Sequence, residues 1–178
     1  LGAAVQSTRP TVRLSPSVKA QAKDWLWTAF ETWEKVGWDD RRGGFVEQLK
    51  LDGTPDQKAP RRVRVQARQV FSFAKSIELG WPRSDLAFSV VKNGLEYIHT
   101  CLRHPEGGFV NIVGPDGEIV DPRRDLYDHA FIILAGTAAY ISVGDDRGLK
   151  IADDALAYID SSLKDHQNGG WFESDRLV

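Results

Sequence analysis

Gly43-Gly44-Phe45-Val46 returns as Gly107-Gly108-Phe109-Val110 and again as Gly169-Gly170-Trp171-Phe172, at intervals of 64 and 62 residues. Each copy follows a helix-like stretch that ends in a polar turn. The first two lead into a short extended segment, an Asp-Gly turn at Asp52-Gly53 or Asp116-Gly117, and then a strongly apolar helical stretch. A fixed period of this size marks a repeated supersecondary unit. Each unit reads as an outer amphipathic helix, a hairpin loop led by Gly-Gly, and an inner, more apolar helix. The paired glycines allow positive φ and a sharp exit from the outer helix, and the aromatic that follows packs across the helix ends.

Helical pairs repeated in this way stack into an open solenoid or close into a ring. Six units on this period, roughly 380 residues, close an (α/α)6 barrel. The chain holds a little under three. Terminal units with a polar outer face, which a solenoid needs, are not visible, so half a toroid is favoured. The expected fold is therefore all-α: helical-hairpin repeats over residues 15–178 forming about half of an (α/α)6 barrel, with short β-hairpin loops. Residues 1–14 read as an irregular arm, since Arg9-Pro10 sits badly in a helix. No Met occurs, so Leu1 is not expected to be a native start, and the last Gly-Gly stands in mid-unit, so the toroid is expected to be incomplete at its C-terminus.

Ser15-Pro16 signals an N-cap and first turn, with Val18, Ala22, Trp25, Ala29 and Trp33 as the stripe of a helix reaching about Val36. Phe45–Leu51 alternates like a short strand. Ser84 is placed to cap the next helix, whose inward positions are Leu86, Val90, Gly94 or Leu95, Tyr97 and Cys101. A helix from about Arg124 to Val143 is apolar nearly all round and reads as enclosed. Leu149, Ala152, Leu156, Ile159 and Leu163 form the stripe of the last helix.

The segment Arg61–Ile77, RRVRVQARQVFSFAKSI, carries the chemistry. Val63, Ala67, Val70, Ala74 and Ile77 make one apolar stripe, while Arg64, Arg68, Phe71 and Lys75 follow the same spacing beside it. An enclosed Arg must find acceptors. Two readings stay open: Arg68 points into a polar cavity, or Arg64 and Arg68 each pair with a carboxylate on an adjacent helix.

The chain of 178 residues suffices for one domain with a core. Its net charge of -2 and the lack of a basic patch longer than Arg61–Arg64 argue against a nucleic-acid partner. Cys101 is the only cysteine, so a disulfide framework or thiolate metal cluster is excluded. With no signal peptide and no apolar run of spanning length, the expected place is the cytoplasm, away from membranes.

The Gly-Gly-Phe turns, Val65-Gln66-Ala67-Arg68-Gln69-Val70-Phe71-Ser72-Phe73-Ala74, and Leu126-Tyr127-Asp128-His129-Ala130-Phe131 together resemble the N-acylglucosamine 2-epimerase superfamily. That group comprises sugar 2-epimerases and mannose or aldose–ketose isomerases, and the likeness runs over nearly all of residues 17–178. It implies a sugar substrate, no cofactor and no metal. Arg68 matches an arginine that in the family lies in the cavity near the reacting end of the sugar. Tyr127, and His129 in the same segment, are the substrate-binding candidates that the likeness supplies. The family's catalytic histidines lie in the second half of the barrel, and their motifs do not occur here.

The chemistry suits an arginine. Isomerisation or epimerisation at C2 removes a proton beside a carbonyl, and a fixed cation next to the developing oxyanion lowers that barrier. Two other readings remain. A glycoside hydrolase or lyase on the same barrel needs two carboxylates across a cavity, and Asp125 and Asp128 offer one from an enclosed helix. A non-catalytic helical repeat would serve as an interaction scaffold. A half-barrel is also expected to expose the flanks of its inner helices, and therefore to associate with its missing half or with itself.

Overall fold

The computed structural model describes residues 15–176. The expected arm, residues 1–14, lies outside them. Five α-helices follow one another: α1 (Pro16–Thr32), α2 (Val63–Glu78), α3 (Ser84–Cys101), α4 (Leu126–Val143) and α5 (Asp146–Tyr158). α1 and α5 each run on into a wider π-helical turn, Trp33–Gly37 and Ile159–Leu163. The inner helices α2 and α4 pack side by side; α3 lies against α2, and α5 against α4. This is the arc of an (α/α)6 barrel read from the period.

Local chemistry sets the helix boundaries. The Ser15 hydroxyl accepts from the Val18 amide with Pro16 in the first turn. The carboxylates of Asp125 and Asp145 cap α4 and α5 in the same manner. α4 stops at Gly144, in the left-handed conformation at φ 67. Ser84 does not cap α3: it is already helical, and the exposed start is held by the Arg83 carbonyl.

All six glycines of the three pairs have positive φ, between 73 and 95. In the first two units the second glycine has a further reason. A Cβ at Gly44 would lie 2.6 Å from the Tyr97 ring, and one at Gly108 would lie 2.8 Å from the Tyr158 ring. Each turn is thus roofed by a tyrosine of the next outer helix. Phe45 and Phe109 after the turns are fully buried, whereas Trp171 is half exposed.

Three short strands join the units. β1 (Arg61–Arg62) pairs antiparallel with β2 (Ile112–Val113), which pairs with β3 (Ile119–Asp121). The link repeats: the Val63 amide donates to the Asn111 carbonyl, and the Leu126 amide to the Glu173 carbonyl. Each inner helix therefore receives its N-terminal acceptor from the loop of the following unit. Phe45–Leu51 does not form the expected strand. It makes only the bridges Trp38 to Phe45 and Leu49 to Pro55, because the Arg62 amide turns to the Glu47 side chain instead.

The core runs from Phe30 and Trp81 through Phe73 and Val70 to Ile132, Ala135 and Ile151. Leu149 and Leu156, expected inward on α5, are exposed. The helices α4 and α5 cross at Gly136 and Gly148, where a Cβ on either would meet the other's carbonyl at 2.3–2.4 Å. That close crossing turns Ile151 and Ala155 to the core beside Ala152, Ile159 and Leu163, which are buried as expected. α4 is long and apolar enough to cross a bilayer; it is not enclosed as expected, since one face packs against α2 and α5 while Tyr127, Leu134, Tyr140 and Ile141 lie exposed on the other.

Candidate functional site

The two inner helices present one composite face. Arg64 and Arg68 stand one turn apart on α2; Tyr127 and Phe131 stand one turn apart on α4. The Arg64 guanidinium lies 5.3 Å from the centre of the Tyr127 ring. Tyr127 meets Phe131 edge-on at 4.9 Å, and the Arg68 guanidinium lies 5.6 Å from the Phe131 ring. Cations and rings alternate across the interface, an arrangement that suits both charge and apolar area.

Arg64 and Arg68 have different surroundings. Arg64 is half-buried, with Nε 2.7 Å from Oδ1 of the fully buried Asp128. That contact is off the donor axis, so it is an ion pair rather than a directed hydrogen bond. A second guanidinium nitrogen donates to Asn111 Oδ1 at 3.0 Å, and Asn111 in turn donates to Asp121 at 2.7 Å. Burial pushes the Asp128 carboxyl up to about 6, and Arg64 offsets only part of that. Arg68 is exposed and has no carboxylate partner among the described residues. It borders a hollow of about 230 Å³ formed with Trp33, Glu47, Val65, Gln69 and Ser72.

Tyr127 is half exposed on this face. His129 is not on it. It is fully buried, its ring stacked 4.9 Å from Tyr158, with both nitrogens engaged. Nε2 accepts from the Phe109 amide at 3.0 Å, and Nδ1 lies 2.8 Å from the Asp125 carbonyl. These partners fix a neutral ring protonated on Nδ1. No nitrogen remains for a ligand.

The repeat explains why a histidine stands there. In the first unit Gln66, 63 residues earlier, accepts from the Phe45 amide and donates to the Phe45 carbonyl, both at 2.7 Å. His129 takes the place of Gln66 in holding the Gly-Gly-aromatic turn. We expect His129→Gln to cost under about 1 kcal/mol in urea melts, and His129→Ala about 2–3 kcal/mol, since it strands a buried amide. Burial holds the His129 pKa below its ordinary 6.5 against the pull of the Asp125 carbonyl. The unfolded chain then binds the extra proton first, so this group's contribution is complete above pH 6.5 and is lost as pH falls towards the lowered value. His129→Gln removes that acid loss.

Arg61, in sequence the start of a short basic run, is fully buried. Its guanidinium binds the Asp39 carboxylate, the Gly43 carbonyl and, at 3.4 Å, the Tyr97 hydroxyl. Arg124 does the same work 63 residues on, pairing with Asp175 at 2.7 Å and donating to the Gly107 carbonyl. The recurrence of Arg five residues before the turn-holding Gln or His, at Arg61 and Arg124 with Gln66 and His129 following at equal spacing, is the signal that finds both.

Asp125 and Asp128 do not form an acidic pair facing a cavity. Asp125 is consumed as the α4 cap and Asp128 by Arg64. Among the described residues no group of three His, Cys, Asp or Glu side chains converges.

Residues 43–177 match the family described as N-acylglucosamine 2-epimerase (GlcNAc 2-epimerase). Over 107 residues the chain is 36% identical to mannose-6-phosphate isomerase of Rhizobium meliloti, a match covering 60% of this chain and 27% of that protein. Over 122 residues it is 28% identical to cellobiose 2-epimerase of Ruminococcus albus, covering 67% of this chain and 30% of that one. The structure of cellobiose 2-epimerase from Spirochaeta thermophila superposes with a TM-score of 0.78 at 24% identity, over 93% of this chain and 41% of that chain. The chain thus spans well under half the length of these relatives. Its repeat, its fold and the match over residues 43–177 agree: the chain belongs to the N-acylglucosamine 2-epimerase family.

Proposed function

We propose that this chain supplies one wall of the sugar cavity in an enzyme acting at C2 of an aldose, as an aldose–ketose isomerase or a 2-epimerase. The observation that carries the reading is Arg68: an arginine on an inner helix, without a carboxylate partner among the described residues, beside a hollow and against an aromatic face. In an open-chain aldose a base removes the C2 proton, and the electron pair moves to the carbonyl oxygen, giving an enediolate. Arg68 stabilises that oxyanion without exchanging a proton. Return of a proton to C1, with the O2 proton passing to O1, gives the ketose; return to the other face of C2 gives the epimer. Tyr127 and Phe131 offer flat apolar area to the sugar ring.

His129 enters this scheme as the holder of the Phe109 turn rather than as a sugar ligand. No histidine lines the hollow beside Arg68, and in this reading the base is a histidine of the barrel's second half. The exposed stripe Tyr127, Ala130, Leu134 and Ile141 on α4 supports association through this face with the remainder of a barrel. The single unpaired Cys101 is in keeping with a cytoplasmic setting.

The test is to incubate the full-length gene product with mannose, mannose 6-phosphate, N-acetylglucosamine and cellobiose, and to separate the products. Interconversion of aldose with ketose or C2 epimer is expected. Release of reducing ends from a glycan, with every one of these sugars unchanged, would replace this reading with hydrolysis.

A further inference from the structure

Arg68 is exposed, and an exposed arginine does not keep one rotamer unaided. Its only described partner is the Phe131 ring. Phe131 is set edge-on by Tyr127, and Tyr127 lies beneath the Arg64 guanidinium. Arg64 is held in turn from below, by Asp128 at 2.7 Å and by Asn111 at 3.0 Å. Asn111 is braced by Asp121, which also receives Arg176 at 3.1 Å. The series begins at a side chain with no exposed surface and ends at the cation on the cavity wall.

We infer that Asp128 is a positioning residue for Arg68, acting through Arg64, Tyr127 and Phe131 to fix the guanidinium against the cavity. This rests on the reading of Arg68 as the cation for the oxyanion. Burying a carboxylate is unfavourable unless it is paired, and a core helix tolerates it here because Arg64 reaches it across the α2–α4 interface. The other charges around Asp128 are Asp125 on its own helix and Arg123 in the preceding loop. Asp125 is committed to the α4 cap, which leaves Arg64 as the group that Asp128 can place. Arginine is needed in that position because its planar fork binds a carboxylate and an amide oxygen while stacking on a ring, which an ammonium cannot do.

Two variants test this in the full-length gene product: Asp128→Asn, which keeps shape and removes charge, and Arg64→Lys, which keeps charge and removes the planar fork. The first readout is the mobility of each arginine Nε–H by nitrogen-15 relaxation, with Arg147 on α5, paired to Glu96 and Asp145, as the internal control. We expect Arg64 and Arg68 to become mobile together in both variants while Arg147 is unchanged. The second readout is the kinetics: kcat and kcat/KM should fall together by about tenfold, with KM within about twofold, because a displaced cation is lost from the transition state alone. Either variant suffices if the other fails to fold. An Arg68 signal as ordered as in the wild type, in a folded variant, would overturn the inference. Loosening of Arg147 to the same degree would overturn it also, as general softening. A wild-type protein that turns over no sugar would count against the proposed reaction, while the mobility of Arg68 would still decide the positioning.

Discussion

Arg61→Ala is expected to destabilise the fold by about 3–5 kcal/mol, the usual cost of removing one partner from a buried ion pair. Arg61 and Asp39 are 1% and 3% exposed, so a carboxylate left with the Arg41 and Arg42 amides and the Arg42 guanidinium at 3.7 Å gains little from water. The Gly43 carbonyl and the Tyr97 hydroxyl lose the same donor. The loss is comparable with a large share of a domain's total of roughly 5–15 kcal/mol. Arg61→Lys should rescue little, because one ammonium cannot reach carboxylate, carbonyl and phenol in one plane. Burial acts to raise the Asp39 carboxyl, but the Arg42 amide and the Arg61 guanidinium outweigh it and hold the pKa below the ordinary 3.8. That stability is present above pH 3.8 and is lost as pH falls towards the lowered value. In Arg61→Ala this part of the acid sensitivity shrinks. Chemical melts at pH 7 and again below pH 3.8 measure both effects. Arg124→Ala should cost less, since Arg124 and Asp175 are each partly exposed.

Arg68→Ala is expected to lower kcat by about 10²–10³, the range for removing one preorganised oxyanion donor. Stability should change little, because Arg68 is exposed and bears on the fold only through the Phe131 ring. KM should move less than kcat, since the cation matters most when negative charge develops. Arg68→Lys should recover part of the rate. Initial velocities across sugar concentration, set beside thermal melts of the same variants, separate lost chemistry from lost structure. An unchanged kcat in Arg68→Ala would remove this arginine from the mechanism.

Much of the fold was legible because its punctuation is chemical. A glycine pair at positive φ before an aromatic is hard to replace, so its recurrence at Gly43, Gly107 and Gly169 exposes the unit directly. The inner stripe of Val63, Ala67, Val70 and Ala74 followed from helical spacing alone. Positions set by tertiary contact did not. Leu149 and Leu156 fit the apolar period of α5, yet the Gly136–Gly148 crossing rotates the buried face away from them. Asp125 and Asp128 share a helix face by spacing, but a cap takes the first and Arg64 takes the second.

At the candidate site the limit lay in distinguishing neighbours within one motif. Tyr127 and His129 are two residues apart, and helical geometry sends them to different sides. The alignment of His129 with Gln66 in the preceding unit is what reveals its work on the turn. Arg61 was hidden for the same reason: a buried arginine and an exposed one look alike until the repeat lines it up with Arg124.

The most direct test of the central claim is solvent isotope uptake. The full-length gene product is incubated in heavy water with whichever sugar it converts, and products and recovered substrate are examined by NMR. The account predicts carbon-bound deuterium at C1 of the ketose or C2 of the aldose, since the proton leaves to a base and returns from an exchangeable site. Conversion to the C2 epimer with no deuterium at C2, or to the ketose with none at C1 and none in recovered substrate over many turnovers, would point to transfer of hydride rather than proton and would contradict an enediolate held by Arg68.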